Sequence, residues 1–194
     1  FVSHDMDAIL KLTSRVILLV NGKVVDEGLP QEIINNYTLI SFRPQIFKTW
    51  AIGEELGNKY AKLKSISVTN NKDVQQFEYD VTENIKVKIN YLDLNKEYKN
   101  TAIVHVIDEF DRTIFASNEF DAVEWLSHHD SSSSLISTTC IIPGNLLQIG
   151  RYKVLIAIGN YNPNIIHVKI DEALTFNVIN KSDVEKYRVE VGGN

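Results

Sequence analysis

Residues 85–91, Ile-Lys-Val-Lys-Ile-Asn-Tyr, alternate strictly between apolar and polar side chains. Successive side chains of a β-strand point to opposite faces, so this pattern predicts a strand with one buried and one solvated face. Residues 102–107 (Ala-Ile-Val-His-Val-Ile) are almost continuously apolar, which predicts a strand covered on both faces. Residues 108–111 (Asp-Glu-Phe-Asp) come next. This mainly acidic stretch predicts a hairpin turn leading into a strand at residues 113–117.

Further strand-sized apolar stretches lie on both sides of this hairpin, and turn-rich loops separate them. They are residues 66–68, 135–142, 152–158 and 173–179. At least seven short strands without a clear helical pattern predict two packed antiparallel sheets, an immunoglobulin-like β-sandwich. The spacing of Gly150 and Tyr152 is typical of a tyrosine corner, in which the ring enters the core and the hydroxyl bonds the chain just upstream. The alternative is an ordinary tyrosine that opens a strand.

The first forty residues have a different pattern, in which helix and strand signals alternate. The sequence first predicts a helix over residues 6–12 and a strand at Val16–Val20. This strand is buried on both faces if it belongs to a mixed sheet. A tight Asn-Gly turn at residues 21–22, a return strand ending at Gly28 and a helix beginning at Pro30 follow. Forty residues with such apolar faces do not bury them alone, so this piece requires a partner surface.

Residues 41–57 lose this periodicity and contain Pro44, Gly53 and Gly57. We interpret them as a connector with a short helix at residues 53–56. The predicted organisation is therefore an α/β piece over residues 1–40, a connector over 41–57 and a mainly β sandwich over 58–194.

Composition and charge exclude several classes of function. The formal net charge is −5 and the sequence has no basic block, which argues against nucleic-acid binding and against tight attachment to anionic lipid. The sequence has no apolar run of the roughly 20 residues that span a bilayer. Cys140 is the single cysteine, so an intrachain disulfide is excluded, as is common in a reducing compartment.

The first forty residues resemble the end of an ABC-transporter nucleotide-binding domain. Residues 1–5 (Phe-Val-Ser-His-Asp) are similar to the strand and switch loop of that domain, and residues 15–19 to its next strand. Residues 21–25 resemble the following hairpin and residues 28–34 the start of the closing helix. The chain begins with Phe in the middle of this strand pattern, so we expect it to be a fragment of a longer protein.

The second part resembles one branch of these ATPases, the subunits that export O-antigen polysaccharides (the Wzt type), with relatives serving teichoic acid or capsule. The similar stretches are residues 57–63 at the start of the sandwich, residues 149–154 around the Gly-x-Tyr spacing and residues 173–178 in the closing strand. The resemblance implies a β-sandwich that recognises the exported glycan.

The resemblance also implies the partners of the parent protein. These are ATP and Mg²⁺, a membrane-spanning permease subunit, a polysaccharide cargo and a second copy of the chain, with the protein on the inner, cytoplasmic face of the membrane. By resemblance, His4 is the switch histidine that contacts the γ-phosphate of ATP and helps position the attacking water. The sequence has no Gly-rich Lys-Ser/Thr phosphate loop, so we expect the fragment alone to bind no cofactor and to be inactive as an ATPase.

Exposed aromatic side chains are the candidates for glycan recognition, because they stack on the C–H faces of sugar rings. Trp125, in the long loop over residues 119–134, is the first candidate, and Tyr161, in the turn over residues 160–164, is the second. For Trp125 the alternative is a ring that anchors its own loop. Trp50, in the connector, is expected to pack between domains.

Other chemically suggestive residues have simpler explanations. His128, His129 and Asp130 suggest a metal site, but adjacent side chains diverge in extended backbone and no further ligand cluster is evident, so we expect no bound metal. Asp108 and Glu109 suggest a glycosidase acid–base pair, although a charged hairpin turn explains them better. His105 lies within an apolar strand and is expected to be a hydrogen-bonded core residue.

Two functions from other classes remain open. The sandwich would act only as a dimerisation module if an exposed sheet edge or residues 184–191 paired between protomers. A glycoside hydrolase would release cleavage products from the polysaccharide.

Overall fold

The computed structural model describes residues 1–3, 6–20, 22–41, 44–94, 99–121 and 134–181. The N-terminal piece contains two helices and a hairpin. Its elements are α1 (Met6–Leu12), β1 (Val16–Val20), β2 (Lys23–Gly28) and α2 (Pro30–Ser41). β1 and β2 pair antiparallel, and Gly22 adopts the positive φ angle of 76° that the tight turn requires. α2 begins at Pro30, as predicted.

Ten further strands and one short 3₁₀-helix complete the described chain. They are β3 (Phe47–Thr49), β4 (Leu56–Gly57), β5 (Ala61–Thr69), β6 (Glu78–Asp80), β7 (Ile85–Asp93), β8 (Asn100–Asp108), β9 (Thr113–Asn118), the 3₁₀-helix (Glu119–Asp121), β10 (Leu135–Ile142), β11 (Gly150–Asn160) and β12 (Ile165–Ile179).

These strands form two five-stranded sheets. One has the order β10-β7-β5-β3, with β4 also paired to β5, and the other has the order β6-β12-β11-β8-β9. Every pairing is antiparallel except that of β6 with β12. The predicted fold class, a mainly β chain with a β-sandwich, is confirmed.

The core lies between the two sheets and is built by the predicted alternation. In β7, Ile85, Val87, Ile89 and Tyr91 are buried, and the residues between them are half-buried on the other face. Phe176 and Leu174 from the opposite sheet belong to the same cluster. The pattern of residues 85–91 therefore sets which face of this sheet points inward.

The predicted tyrosine corner is also confirmed. The hydroxyl of Tyr152 donates a hydrogen bond of 2.9 Å to the carbonyl oxygen of Gln148, and its ring stacks on Phe176 with 5.6 Å between centroids. In the turn that joins β8 to β9, Asp111 adopts a φ angle of 61°, a conformation that Asp tolerates better than most residues.

One expectation about an apolar strand was wrong, and another depended on a condition that the described residues do not meet. β8 buries only one face, so His105 lies half-buried on the outer face instead of in the core. β1 was expected to be buried on both faces if it belonged to a mixed sheet, but among the described residues it pairs with β2 alone and leaves Ile17 and Leu19 52% and 60% exposed. A run of apolar residues indicated a strand in both cases, but not how many of its faces are covered.

The connector also differs from the prediction. Residues 53–56 form no helix, and the segment instead contributes β3 and β4 as short strands paired with β5. Trp50 is half-buried and lies against the sandwich core, and its expected position between domains stays a prediction. The predicted domain boundaries stay a prediction.

The two ends of the sandwich carry different loops. The distal end is formed by residues 57–61, 93–94, 99–100, 118–121 and 160–165, which lie at the ends of β5, β7, β8, β9, β11 and β12. The hairpin end carries the turn from Asp108 to Arg112 and the loop before β11. None of the helices within the described ranges is both long and apolar enough to cross a membrane.

Candidate functional site

A stacked pair of exposed aromatic rings marks the distal end. Tyr161, in the turn after β11, lies parallel to Phe120, in the 3₁₀-helix after β9, with 5.2 Å between centroids and 13° between ring planes. Tyr161 is 66% exposed and Phe120 41% exposed. Large rings normally bury such area, so an exposed pair provides a flat apolar platform for a ligand.

The strand order explains why these two rings meet. β9 and β11 both pair with β8, so the segments that leave them at the distal end lie on either side of the same strand. The backbone N–H of Phe120 donates to the side-chain oxygens of Thr101 (3.0 Å) and Asn118 (3.1 Å). These bonds hold the backbone that carries the Phe120 ring.

A second aromatic group at this end surrounds His167. Its Nδ1 lies 3.2 Å from the amide nitrogen of Asn58, and its Nε2 lies 2.6 Å from the side-chain oxygen of Asn160. The amide nitrogen of Asn58 is a donor, so Nδ1 accepts and Nε2 donates, which selects the neutral imidazole. Tyr60 lies beside the ring with 5.3 Å between centroids.

Protonation of His167 is expected to destabilise the folded chain. Desolvation lowers the pKa of His167 below its ordinary value of 6.5, although Asp93 opposes the shift. Between the lowered pKa and 6.5 the unfolded chain holds more protons than the folded chain. The contribution of His167 to the free energy of unfolding is therefore fully present above the ordinary pKa and is lost as the pH drops through that interval.

The measurement is the free energy of urea unfolding between pH 7.5 and pH 5. The substitution His167→Gln should remove this part of the pH dependence, so the variant and the unchanged chain should converge in stability toward pH 5. Ser137→Ala, at an exposed position of β10, is the control and should keep the pH dependence of the unchanged chain. The same pH dependence of the free energy of unfolding in the unchanged chain and in His167→Gln would contradict the assignment of this pH dependence to His167.

Buried polar groups lie beneath the exposed rings. The carboxylate oxygen Oε2 of Glu119 accepts hydrogen bonds of 3.0 Å from the hydroxyl of Tyr91 and the backbone N–H of Ala102. Burial, together with the charge of Glu119, raises the pKa of Tyr91, which therefore remains a hydrogen-bond donor. The other oxygen, Oε1, is buried and has no hydrogen-bond partner among the described residues.

A cavity of about 270 Å³ adjoins Glu119, between the β8–β9 side of one sheet and the β7–β10 side of the other. Ala102, Ser117, Thr138 and Cys140 contribute to its wall. Burial raises the pKa of the Cys140 thiol, so this cysteine is a poor nucleophile. The volume is close to the lower limit of ordinary ligand pockets, and the wall offers both apolar surface and hydrogen-bonding groups.

The predicted site residues fall into two groups. Tyr161 lies at the distal end, and its role in binding stays a prediction. His4, Trp125 and the stretch His128–Asp130 lie outside the described residues, although segment 122–133 leaves the distal end at Asp121 and returns at Ser134. Within the described ranges, no group of three or more His, Cys, Asp or Glu side chains is arranged to hold a metal ion.

Asp108 and Glu109 form part of a turn, not a catalytic pair. Asp108 is buried and accepts hydrogen bonds from the backbone of its own turn and from Arg112. This agrees with the interpretation of these residues as a charged hairpin.

Sequence reasoning missed Phe120, Tyr60, His167 and Glu119. The sequence placed Phe120 and Glu119 in a long loop but indicated no role for either residue. Tyr60 only marked the start of the sandwich. His167 is separated from Asn58 by more than 100 residues, and only the pairing of the strands brings them together. The turn signals at residues 57–60 and 118–121 were the sole indication that these segments are loop ends.

The arrangement is suited to a ligand that has both a flat apolar face and hydroxyl groups. The stacked rings provide the apolar contact, and the exposed side chain of Asn58 together with the cavity-lining side chains of Glu119 and Asp121 provide hydrogen-bonding groups nearby.

Comparison with known proteins supports two separate likenesses. No family model matches the chain. A 36-residue stretch is 44% identical to the glycine betaine/proline betaine transport system ATP-binding protein ProV of Escherichia coli, covering 19% of this chain and 9% of ProV. It is 47% identical over 36 residues to the glycine betaine/carnitine/choline transport ATP-binding protein OpuCA of Bacillus subtilis, covering 19% of this chain and 10% of OpuCA.

A third relative is the energy-coupling factor transporter ATP-binding protein EcfA2 of Mesoplasma florum. The two are 45% identical over 40 residues, which cover 21% of this chain and 13% of EcfA2. The chain therefore spans about a tenth of the length of these curated relatives. The matched length agrees with the forty residues on which the resemblance to ABC ATPases is based.

The structural likeness concerns the sandwich. The crystal structure of the C-terminal domain of Wzt has a TM-score of 0.52 and 12% sequence identity, with 71% of this chain and 82% of that chain covered. At this identity the likeness shows the fold alone. The chain thus combines a segment similar to ABC-transporter ATP-binding proteins with a β-sandwich whose fold is like that of the C-terminal domain of Wzt.

Proposed function

We propose that this chain, an ABC-ATPase-related polypeptide with a sandwich of the Wzt C-terminal fold, is part of the ATP-hydrolysing subunit of an exporter of a cell-surface polysaccharide. The sandwich binds the glycan cargo at its distal end. The observation that carries this proposal is the exposed stack of Phe120 and Tyr161 beside a cavity with polar side chains in its wall. The fold alone does not give a function, so the proposal rests on this site.

The distal end combines an apolar aromatic platform with polar groups, and a sugar ring likewise combines an apolar face with a hydroxyl-bearing edge. The C–H face of a pyranose is apolar and packs on an aromatic plane, and its equatorial hydroxyls point outward at the edge. Glu119 lines the neighbouring cavity, and its buried Oε1 has no hydrogen-bond partner among the described residues. Trp125 follows Asp121 by four residues in the chain, and we propose that it adds a further ring to this site.

The motor part of the proposal concerns the intact protein. There His4 acts as the switch histidine toward ATP and Mg²⁺, and the subunit works as a homodimer with a membrane-spanning permease. It lies on the inner face of the cytoplasmic membrane. The short stretch shared with ATP-binding transport proteins supports this assignment.

Isothermal titration of the 194-residue chain with surface polysaccharide from the encoding organism tests the proposal. Saturable binding, with unchanged polysaccharide chain length afterwards, is expected. Absence of binding together with a stable dimer in gel filtration would favour the dimerisation module instead. Shortened polysaccharide in the same tube would identify a hydrolase and overturn the proposal. Trp125→Ala in the same titration tests the additional ring, with weaker binding expected.

A further inference from the structure

The tip of the β8–β9 hairpin carries a large apolar residue that touches the N-terminal piece. Met6, Ile9 and Ile34 form a buried cluster between α1 and α2, which we call the N-terminal cluster. Phe110, from the hairpin of the sandwich, is half-buried and packs against this cluster. A phenylalanine at a hairpin tip would otherwise expose its ring, so the contact removes apolar surface from water on both sides.

The turn that presents Phe110 is held by the carboxylate of Asp108. Oδ1 accepts from the backbone N–H of Phe110 (3.0 Å) and of Arg112 (2.9 Å), and Oδ2 accepts from the side-chain Nε of Arg112 (2.8 Å). The Arg112 guanidinium carbon also lies 5.0 Å from the centre of the Phe110 ring. Charge-assisted hydrogen bonds to the buried Asp108 carboxylate hold the turn in this conformation independently of the contact with the N-terminal cluster. The turn therefore loses less conformational entropy when Phe110 docks.

The other side of the contact is also ordered. Met6 is the first residue of α1, and Ile34 lies in the middle of α2, so the cluster joins both helices. Leu10, Val16 and Tyr37 surround it. The cluster is therefore a defined seat for the Phe110 ring, and the partner of the hairpin tip is the helical pair of the same chain.

We infer that Phe110 is the docking point by which the sandwich is held against the helix that follows the switch segment of the motor. His4 lies two residues before α1 in the sequence, and by resemblance it senses the γ-phosphate. β8 connects this docking point to the distal end over nine residues, roughly 30 Å. Through this contact, β8 connects the glycan-binding distal end to the part of the chain that contains the switch segment. This functional meaning rests on the proposed function, but the contact itself does not.

Hydrogen exchange on the 194-residue chain, without polysaccharide, tests the docking. Phe110→Ser should raise the exchange rate of peptides covering α1 and α2 about tenfold, because the cluster loses a packing partner. Phe110→Leu is the matched control and should stay within about twofold of the unchanged chain. Peptides from β11 and β12 should exchange at their original rates in both variants. Unchanged exchange in α1 and α2 of Phe110→Ser would overturn the inference.

A double-mutant cycle separates direct contact from general weakening. Ile9→Ala and Phe110→Ala should be non-additive in their effect on α2 exchange, because both substitutions remove packing from the same cluster. Additive effects would overturn the inference even if each single variant exchanges faster. The exchange measurement contains no polysaccharide, so its outcome does not depend on glycan binding, and a failure of the docking inference is distinguishable from a failure of the proposed function.

Discussion

Replacing Phe120 and Tyr161 together by alanine is expected to lower the affinity of the chain for the polysaccharide roughly 100-fold, and each single substitution about tenfold. An exposed aromatic ring that contacts a ligand contributes on the order of 1–2 kcal/mol, and the two rings stack as one platform. The measurement is isothermal titration of each variant with the same polysaccharide preparation.

The control for this prediction is Phe47→Ala. Phe47 lies on β3, away from the distal end, and is 42% exposed, nearly the same as the 41% of Phe120. It should bind like the unchanged chain. Equal losses of affinity in Phe47→Ala and Phe120→Ala would show that removing any exposed ring weakens binding. The Phe120–Tyr161 platform would then not be the binding site.

Gly57→Ala is expected to destabilise the chain by about 3 kcal/mol. A Cβ atom at Gly57 would lie 2.1 Å from the carbonyl oxygen of Ala61, and the φ angle of 136° is one that L side chains rarely adopt. The clash is with backbone at the start of β5, which has no rotamer to change, so overpacking and backbone strain add. For a chain of this length the loss corresponds to a fall in Tm of roughly 6–12 °C.

Gly53→Ala is the matched control, because Gly53 also has a positive φ angle, 93°, but its Cβ would meet no atom within 4 Å. We expect a loss of about 1 kcal/mol, from strain alone. Thermal unfolding followed by circular dichroism gives both values. Gly57 also begins the turn that carries Asn58 and Tyr60, so its variant should lose polysaccharide affinity as well. Similar Tm values for the two variants would contradict this account of the turn.

The sandwich was predictable because its signals are local. The alternation in residues 85–91 and the Gly150–Tyr152 spacing each specify a structure within a few residues, and both are confirmed. The number of faces that neighbouring elements cover is not a local property. His105 was therefore misplaced, since its strand is covered on fewer sides than its apolar neighbours suggested.

The candidate site was less predictable for the same reason. Tyr161 was identified because its turn, Asn-Tyr-Asn-Pro-Asn, is evident in the sequence. Its stacking partner Phe120 is about forty residues earlier in the chain, and only the common pairing of β9 and β11 with β8 brings the rings together. Glu119 likewise gains its role from Tyr91 across the core, a contact that no local pattern indicates.

The location of glycan contacts tests the central claim most directly. Backbone amide shifts of the isotopically labelled 194-residue chain can be followed by NMR while surface polysaccharide is added. We predict shifts that concentrate at residues 58–61, 118–121 and 160–167, with the turn from Asp108 to Arg112 unchanged. Shifts centred on that turn, or no shifts at saturating polysaccharide, would contradict glycan recognition at the distal end.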